Sequence, residues 1–357
     1  MATHCRFALV CQSFPLGGTN LERRLLYMRD MSDLDDLTAV CLTDARFPEL
    51  PNFQQGKVRD SYDLPDGRRI MIATDRQSAF DKVLAAVPYK GQVLNQTARF
   101  WFDRIADICP NHVIDYPDPN VVVARRLSML PVEMVVRDYI TGSTDTSIWP
   151  MYRRGERMLY GIRFPEGLVK NQKLPETILT PTTKADQGEH DAPITSADIV
   201  ARGLLSQAQW DELARVSLAV FARGRELAAG NGLILVDTKY EFGIDERGRI
   251  TLADEVHTPD SSRYWHAASY RERLAAGKEP ESLDKEFLRL WIVERCDPYK
   301  DAIPDIPAET LVTFSEKYIA LYEQVTGQKF DRPPLNQPIH DRVRSNLARA
   351  FPEYFRR

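Results

Sequence analysis

Gly232-Leu-Ile-Leu-Val-Asp-Thr-Lys-Tyr-Glu-Phe-Gly243 opens as an apolar strand and then carries three charges that a strand interior does not tolerate. Side chains alternate along an extended chain, so Leu233, Leu235, Asp237, Lys239 and Glu241 share one face. Ile234, Val236, Thr238, Tyr240 and Phe242 share the other. A short loop, Asp245-Glu-Arg-Gly248, leads into a second extended run over 249–256. If Ile244 pairs with Arg249, Lys239 falls opposite Asp254, with Glu241 diagonal to it. Two carboxylates meeting across a hairpin beside a lysine suit a hard divalent cation on phosphate oxygens. A solvated ion-pair ladder is the equal alternative, because a one-residue slip breaks the geometry.

Upstream, Ser206-Gln-Ala-Gln209 has the form of a capping box, and the spacing of apolar and small residues predicts a one-faced helix that Gly230-Asn-Gly232 ends. Downstream, Asp254-Glu-Val-His-Thr-Pro-Asp-Ser-Ser-Arg263 sets Ser261 and Arg263 at a turn. That is a clamp for phosphate or carboxylate, or simply a capped turn. Val135-Val-Arg-Asp-Tyr-Ile-Thr-Gly-Ser143 delivers Arg137 from a strand into a turn whose amides can cradle an anion. Thr180-Pro-Thr-Thr-Lys184 continues through His190 and Asp191 as a long polar loop, either functional or a plain connection. Near the start of the ordered chain, Pro65-Asp-Gly67 joins extended runs over 57–64 and 68–74 into a hairpin. Gln55-Gly-Lys57-Val-Arg59 enters that hairpin, and Asp75-Arg-Gln-Ser78-Ala-Phe-Asp81 follows it. A helix is expected over 91–107 and strands over 121–125 and 132–139. Two helices, near 284–296 and 308–326, are expected to close the chain.

The 357 residues hold 47 Lys+Arg against 51 Asp+Glu, a net charge of −4, with 43% hydrophobic residues. That hydrophobic share excludes wholesale disorder, and the near balance argues against a general nucleic-acid binder. No apolar run is long enough to span a membrane. Five cysteines without a CxxC pair fit reduced thiols in the cytoplasm. Phosphate-binding GxxxxGK[ST], dinucleotide-binding GxGxxG, zinc-binding HExxH and nucleophile-elbow GxSxG patterns are all absent. Residues 1–45 show little periodicity and read as a loosely ordered extension.

Taken in order, GKVRDSYDL (56–64), ATDRQSAFD (73–81), VVRDYITGS (135–143), TPTTKADQGEHD (180–191), LILVDTKYEFG (233–243), ADEVHTPDSSRYW (253–265) and SLDKEFLRLW (282–291) resemble the SAICAR synthetase family. The resemblance covers roughly 53–326 and implies an α+β, two-lobed fold. It implies a kinase-like N-terminal lobe of antiparallel strands (46–135) and a larger α+β lobe (136–357), with ATP between them. The implied reaction is an ATP- and Mg2+-dependent ligation of carboxyaminoimidazole ribotide (CAIR) to L-aspartate. Another carboxylate–amine ligase or a phosphotransferase on the same scaffold is the alternative. The partners implied are these small molecules, with no nucleic acid and no membrane. Mapped by motif, Glu241 and Asp254 would hold the metal. Gly56, Lys57, Arg59 and Glu241 would contact the nucleotide, with a hinge at Glu133-Met-Val135 meeting adenine. Lys184, Asp237 and Lys239 would line the reacting groups. Arg137, Ser143, Ser261, Arg263 and Arg289 would clamp CAIR, while Ser78, Asp81 and Asp191 would contact aspartate or order a loop.

Overall fold

The structure is a computed structural model that describes residues 40–356, apart from 81, 145, 185–190 and 335. Its first sheet is antiparallel, ordered β1-β2-β3-β7-β6, from β1 (Phe53–Gln55), β2 (Arg59–Asp63), β3 (Arg68–Ala73), β6 (Val113–Asp118) and β7 (Val121–Arg125). The expected hairpin is β2–β3, with Arg59 opposite Ala73. Between β3 and β6 lie a two-stranded ribbon, β4 (Arg76–Ala79) and β5 (Lys82–Ala86), and helix α1 (Lys90–Arg104).

The chain crosses to the second sheet at Arg126-Leu127 and continues as β8 (Ser128–Tyr139). Helix α2 (Ile148–Arg153) and the short pair β9 (Met158–Leu159) and β10 (Ile162–Arg163) follow. Then come β11 (Lys173–Leu179), β12 (Thr182–Thr183), α3 (Ser196–Ala201) and α4 (Gln207–Gly230). The sheet is completed by β13 (Leu233–Ile244), β14 (Ile250–Ala253) and β15 (Ser262–His266), in the order β11-β8-β13-β14 with β12 on β8 and β15 on β13. Ser206 caps α4 in the reciprocal arrangement expected, its side chain accepting from Gln209 N while Gln209 accepts from Ser206 N.

Two features of β13 differ from simple alternation. Leu235 opposes Tyr264 but Asp237 opposes Arg263, so Val236 is one extra residue in β13 against β15. This bulge reverses the faces. Leu233 and Leu235 join Tyr240 and Phe242 in the core under α4, while Val236 packs with Tyr139 and Trp265 on the other side. Asp237, Lys239 and Glu241 therefore lie on the face opposite Leu233 and Leu235, where unbroken alternation would have put Asp237 into the core. The second difference is register: Ile244 opposes Ile250, not Arg249, so Glu241 faces Ala253. Asp254 lies just beyond β14 with φ 61°, a left-handed turn. That turn brings its carboxylate to 3.5 Å from Lys239 Nζ.

After α5 (Ala267–Ala275), α6 (Glu286–Val293) and α7 (Ala308–Thr326), the chain does not end as expected. Helices α8 (Ile339–Ala350) and α9 (Pro352–Phe355) return to the first sheet. Ile339, Val343, Leu347 and Phe351 pack on Tyr62, Ile70, Ile72, Val121 and Val123. Each such aliphatic side chain contributes about 1.5–3 kcal/mol when fully buried. Arg342 ties α8 to Asp118 at 3.1 Å and to Asn120 at the β6–β7 turn. Of the expected extension 1–45, only 40–45 are described, and there Leu42 and Ala45 are buried in this same core.

Gly224 marks the closest approach of α4 to the layer beneath. A Cβ there would lie 2.2 Å from the His257 ring and 2.7 Å from Leu235. His257 is fully buried, stacked edge-on to Trp101 at 4.7 Å, and has no room to yield. Alanine is the better helix former by about 1 kcal/mol, yet overpacking costs about 1–3 kcal/mol. Gly224→Ala is therefore expected to lower the urea midpoint of unfolding; an equal or higher midpoint would contradict this packing.

Candidate active site

A cleft of about 530 Å³ lies between the two sheets. Its first wall comes from the β1–β2 connection. Gly56 N donates to Arg59 O at 2.8 Å, so tight a turn that a Cβ on Gly56 would sit 2.7 Å from that oxygen. Arg76 holds the turn from behind. Its guanidinium donates to Gly56 O at 2.9 Å and Lys57 O at 3.3 Å, and pairs with fully buried Asp60 at 2.6 Å. Thus the ATDRQSAFD string supports the glycine–lysine loop, while Ser78 lines the cleft itself. Asp81 lies outside the described residues.

Arg59 reaches across to the second sheet, meeting Asp254 and, at 2.6 Å, Glu255. On that side, Glu133 and Glu241 are direct cross-strand neighbours. Two like charges so placed repel, and Lys239 Nζ relieves this by contacting Glu241 at 2.6 Å, Glu133 at 3.4 Å and Asp254 at 3.5 Å. Lys184 adds a second cation on Glu241. Burial alone would raise Asp254, but the charges of Arg59, Lys239 and Lys184 outweigh it and hold the carboxyl well below its usual range. Glu241 is likewise lowered against burial by Lys239 and Lys184. Burial wins at Glu133, which is raised despite Lys239. Among the described residues no three acidic, His or Cys side chains are gathered as a complete metal cage. Glu241 and Asp254 could supply part of an oxygen set to a hard cation whose other ligands would be phosphate oxygens and water.

The other end of the cleft is built on Asp237. It sits in β13 with Arg137 directly opposite on β8 and Arg263 directly opposite on β15. Only 3% exposed, it accepts from Arg137 at 3.0 Å and from Arg263 at 2.6 Å through the same oxygen. Arg137 Nε donates to Thr180 Oγ1 at 2.7 Å. Arg263 also meets Glu286 at 3.3 Å, and Arg289 reaches Glu286 at 3.3 Å from one turn along α6. Burial opposes ionisation of Glu286, but Arg263 and Arg289 pull it down to about 2. The Arg289 Nε is buried and has no hydrogen-bond partner among the described residues. Ser143 lies on the loop after β8, near Glu286. Ser261 makes the capped turn, its hydroxyl accepting from Thr258 N at 3.2 Å, and it also lines the cleft.

Gly56, Lys57, Arg59, Ser78, Glu133, Val135, Arg137, Asp191, Asp237, Lys239, Asp254, Ser261, Arg263 and Arg289 all line this one cleft. Lys184 and Glu241 join through their ion pair at its edge, whereas His190 lies outside the described residues. Glu133 and Val135 stand inside β8, flanked by β12 and β13, with Val135 O taken by Thr180 N at 2.8 Å. The passage between the sheets, expected there as a hinge, runs instead through Arg126-Leu127.

Sequence reasoning missed Lys90, Glu255, Asp260 and Lys285. Lys90 is fully buried on α1 and pairs at 2.8 Å with Asp260, a cleft residue that also accepts from Tyr318 at 2.7 Å. The signal that was available for Lys90 is a lone lysine at the start of an otherwise apolar helical face.

Comparison with known proteins agrees with this geometry. The SAICAR synthetase family model matches residues 52–306. The phosphoribosylaminoimidazole-succinocarboxamide synthase of Legionella pneumophila is 54% identical over 310 residues, covering 87% of this chain and 98% of that protein. The solved SAICAR synthase of Saccharomyces cerevisiae, complexed with SAICAR, superposes with a TM-score of 0.70 at 31% identity, covering 81% of this chain and 99% of that one. A SAICAR synthetase solved in complex with ADP gives a TM-score of 0.60 at 26% identity, covering 78% and 100%. With its antiparallel two-sheet fold and a cleft that pairs acidic and basic clusters, the chain belongs to the SAICAR synthetase family, ATP-dependent ligases of purine biosynthesis.

Proposed function

We propose that this chain joins the carboxylate of CAIR to the amino group of L-aspartate, giving SAICAR, ADP and phosphate through an acyl-phosphate intermediate. One observation carries the reading: a single cleft holds a carboxylate pair tied by Lys239 at one end and three arginines gathered around Asp237 and Glu286 at the other. The first set suits a nucleotide triphosphate with its cation; the second suits a phosphorylated second ligand.

An unactivated carboxylate is a poor acyl donor, so ATP first phosphorylates it; the amine then attacks and phosphate leaves. Positioning and charge neutralisation supply the catalysis, and no side-chain nucleophile is needed. In this reading Gly56, Lys57, Arg59, Glu133 and Val135 flank the nucleotide. Glu241 and Asp254 hold Mg2+, which neutralises phosphate charge when bound. Arg137, Ser143, Ser261, Arg263 and Arg289 grip CAIR, chiefly its phosphate, and Asp237 fixes two of those guanidiniums. Lys239 and Lys184 lie toward the transferring phosphoryl group, and Ser78 and Asp191 toward aspartate. In this reading the chain up to Arg126-Leu127, braced by α8 and α9, acts as the nucleotide lobe, and the chain from β8 to α7 acts as the substrate lobe. Cys109 and Cys296, free thiols among the described residues, suit the cytoplasmic setting proposed here. Among the described residues no helix is long and apolar enough to cross a membrane.

ADP release is expected to require CAIR, L-aspartate and a divalent cation together, and chelation should abolish it. ATP turnover indifferent to CAIR and aspartate would overturn the assignment. Glu241→Gln keeps the shape and removes the charge, so the Mg2+ concentration for half-maximal rate should rise by at least about 10-fold. An unchanged Mg2+ titration would remove Glu241 from the metal set.

A further inference from the structure

Cations in this cleft come with carboxylates. Arg59, Arg69, Arg137, Lys239, Arg263 and Arg289 line it, and each meets an acidic side chain within ion-pair distance. Lys285 lines it too, half-buried, yet its Nζ makes no hydrogen bond or ion pair among the described residues. Its backbone is fixed nonetheless. Lys285 is the N-cap of α6, its N–H donating to Pro259 O at 3.3 Å. Asp284, just before it, accepts from Tyr264 N and Glu286 N, each at 2.8 Å, and so locks the approach to α6. A lysine on a fixed backbone thus carries an uncommitted amine into the cleft, one helical turn from Arg289.

Charged groups act on this amine from each surrounding element. Asp260 in the turn before β15 and Glu255 after β14 favour its ammonium form; Arg289 of α6 and Lys90 of α1 oppose it. The two carboxylates are already engaged, Asp260 with Lys90 and Tyr318, and Glu255 with Arg59 at 2.6 Å and Thr258 at 2.8 Å. Withdrawal from water, with the two cations, therefore prevails and pulls Lys285 down to about 8. A lysine in that range carries a free electron pair in an appreciable fraction of molecules near neutral pH.

The ligase reaction has a proton to dispose of, since L-aspartate arrives as an ammonium with no electron pair to attack with. We infer that Lys285 is the proton acceptor for the attacking amine, a role that rests on the ligase reaction proposed above. Lys285 Nζ takes one N–H proton from the aspartate ammonium and becomes an ammonium itself. The freed pair forms the N–C bond to the acyl carbon as the C–O bond to phosphate breaks. The second N–H proton departs with the phosphate, leaving a neutral amide.

The test compares the full-length enzyme with Lys285→Met and Lys285→Arg at saturating ATP, Mg2+ and CAIR, with L-aspartate or hydroxylamine as the nucleophile. Hydroxylamine is largely unprotonated near neutral pH and needs no acceptor. With aspartate at pH 7.5, kcat should fall on the order of 100-fold in both variants, as for loss of a general base. It should climb steadily with pH where the wild type levels off, and KM for aspartate should change little. Hydroxamate formation should fall far less. The inference is overturned if Lys285→Arg keeps its kcat, if the loss lies in KM alone, or if hydroxamate formation falls as much as amide formation. A wild-type enzyme that forms no hydroxamate would instead overturn the acyl-phosphate reading beneath it.

Discussion

The site depends on one extra residue in one strand. The bulge at Val236 lets β13 begin with leucines in the core under α4 and continue with Asp237, Lys239 and Glu241 on the opposite, cleft-facing side. Without it, strict alternation would drive a carboxylate into an apolar layer, at a cost that only ion pairing could offset. With it, Asp237 lands level with Arg137 on one neighbouring strand and Arg263 on the other. Three strands then act as a rigid rule on which two guanidiniums are set side by side, and their mutual repulsion is cancelled by the carboxylate between them.

The same logic extends over the cleft. Its arginines and Lys239 are held by carboxylates, and carboxylates such as Asp260 are held in turn, here by Lys90 and Tyr318. Such pairing adds little net stability, because desolvation consumes much of the Coulomb gain. What it supplies is preorganisation: the side chains proposed to meet phosphate are already ordered before ligand arrives. This also explains how a chain of net charge −4 can build an intensely charged site. Opposite charges are interleaved there, so the total says only that no bulk polyanion is its partner. Arg59 joins the halves, because it rises from the first sheet and pairs with Asp254 and Glu255 of the second.

Much of this was legible in the sequence, and the gaps have physical causes. The β2–β3 hairpin, strand β7 and the capping box of α4 follow from local turn and cap chemistry, which is written within a few residues. Asp237 and Lys239 stood out as charges placed where a strand interior should be apolar, whereas Ser78, Glu133, Val135, Asp191 and Arg289 were implied by the resemblance of their motifs to the family. Register did not follow. The Val236 bulge and the pairing of Ile244 with Ile250 each shift the register by one residue, and no periodicity records a single insertion. Nor was the return of α8 foreseen. Its stripe of Ile339, Val343 and Leu347 is narrow, and its target is a sheet more than 200 residues earlier in the chain. Lys90 and Lys285 escaped for a related reason, since their meaning lies in partners or vacancies that only tertiary packing creates.

The central proposal is that this cleft activates a carboxylate by phosphorylating it. The most direct measurement uses CAIR labelled with 18O in its carboxylate, turned over with ATP and L-aspartate, and reads the released phosphate by mass spectrometry. Passage through an acyl phosphate predicts one 18O atom in each phosphate released. Phosphate released without label, alongside normal SAICAR formation, would contradict it.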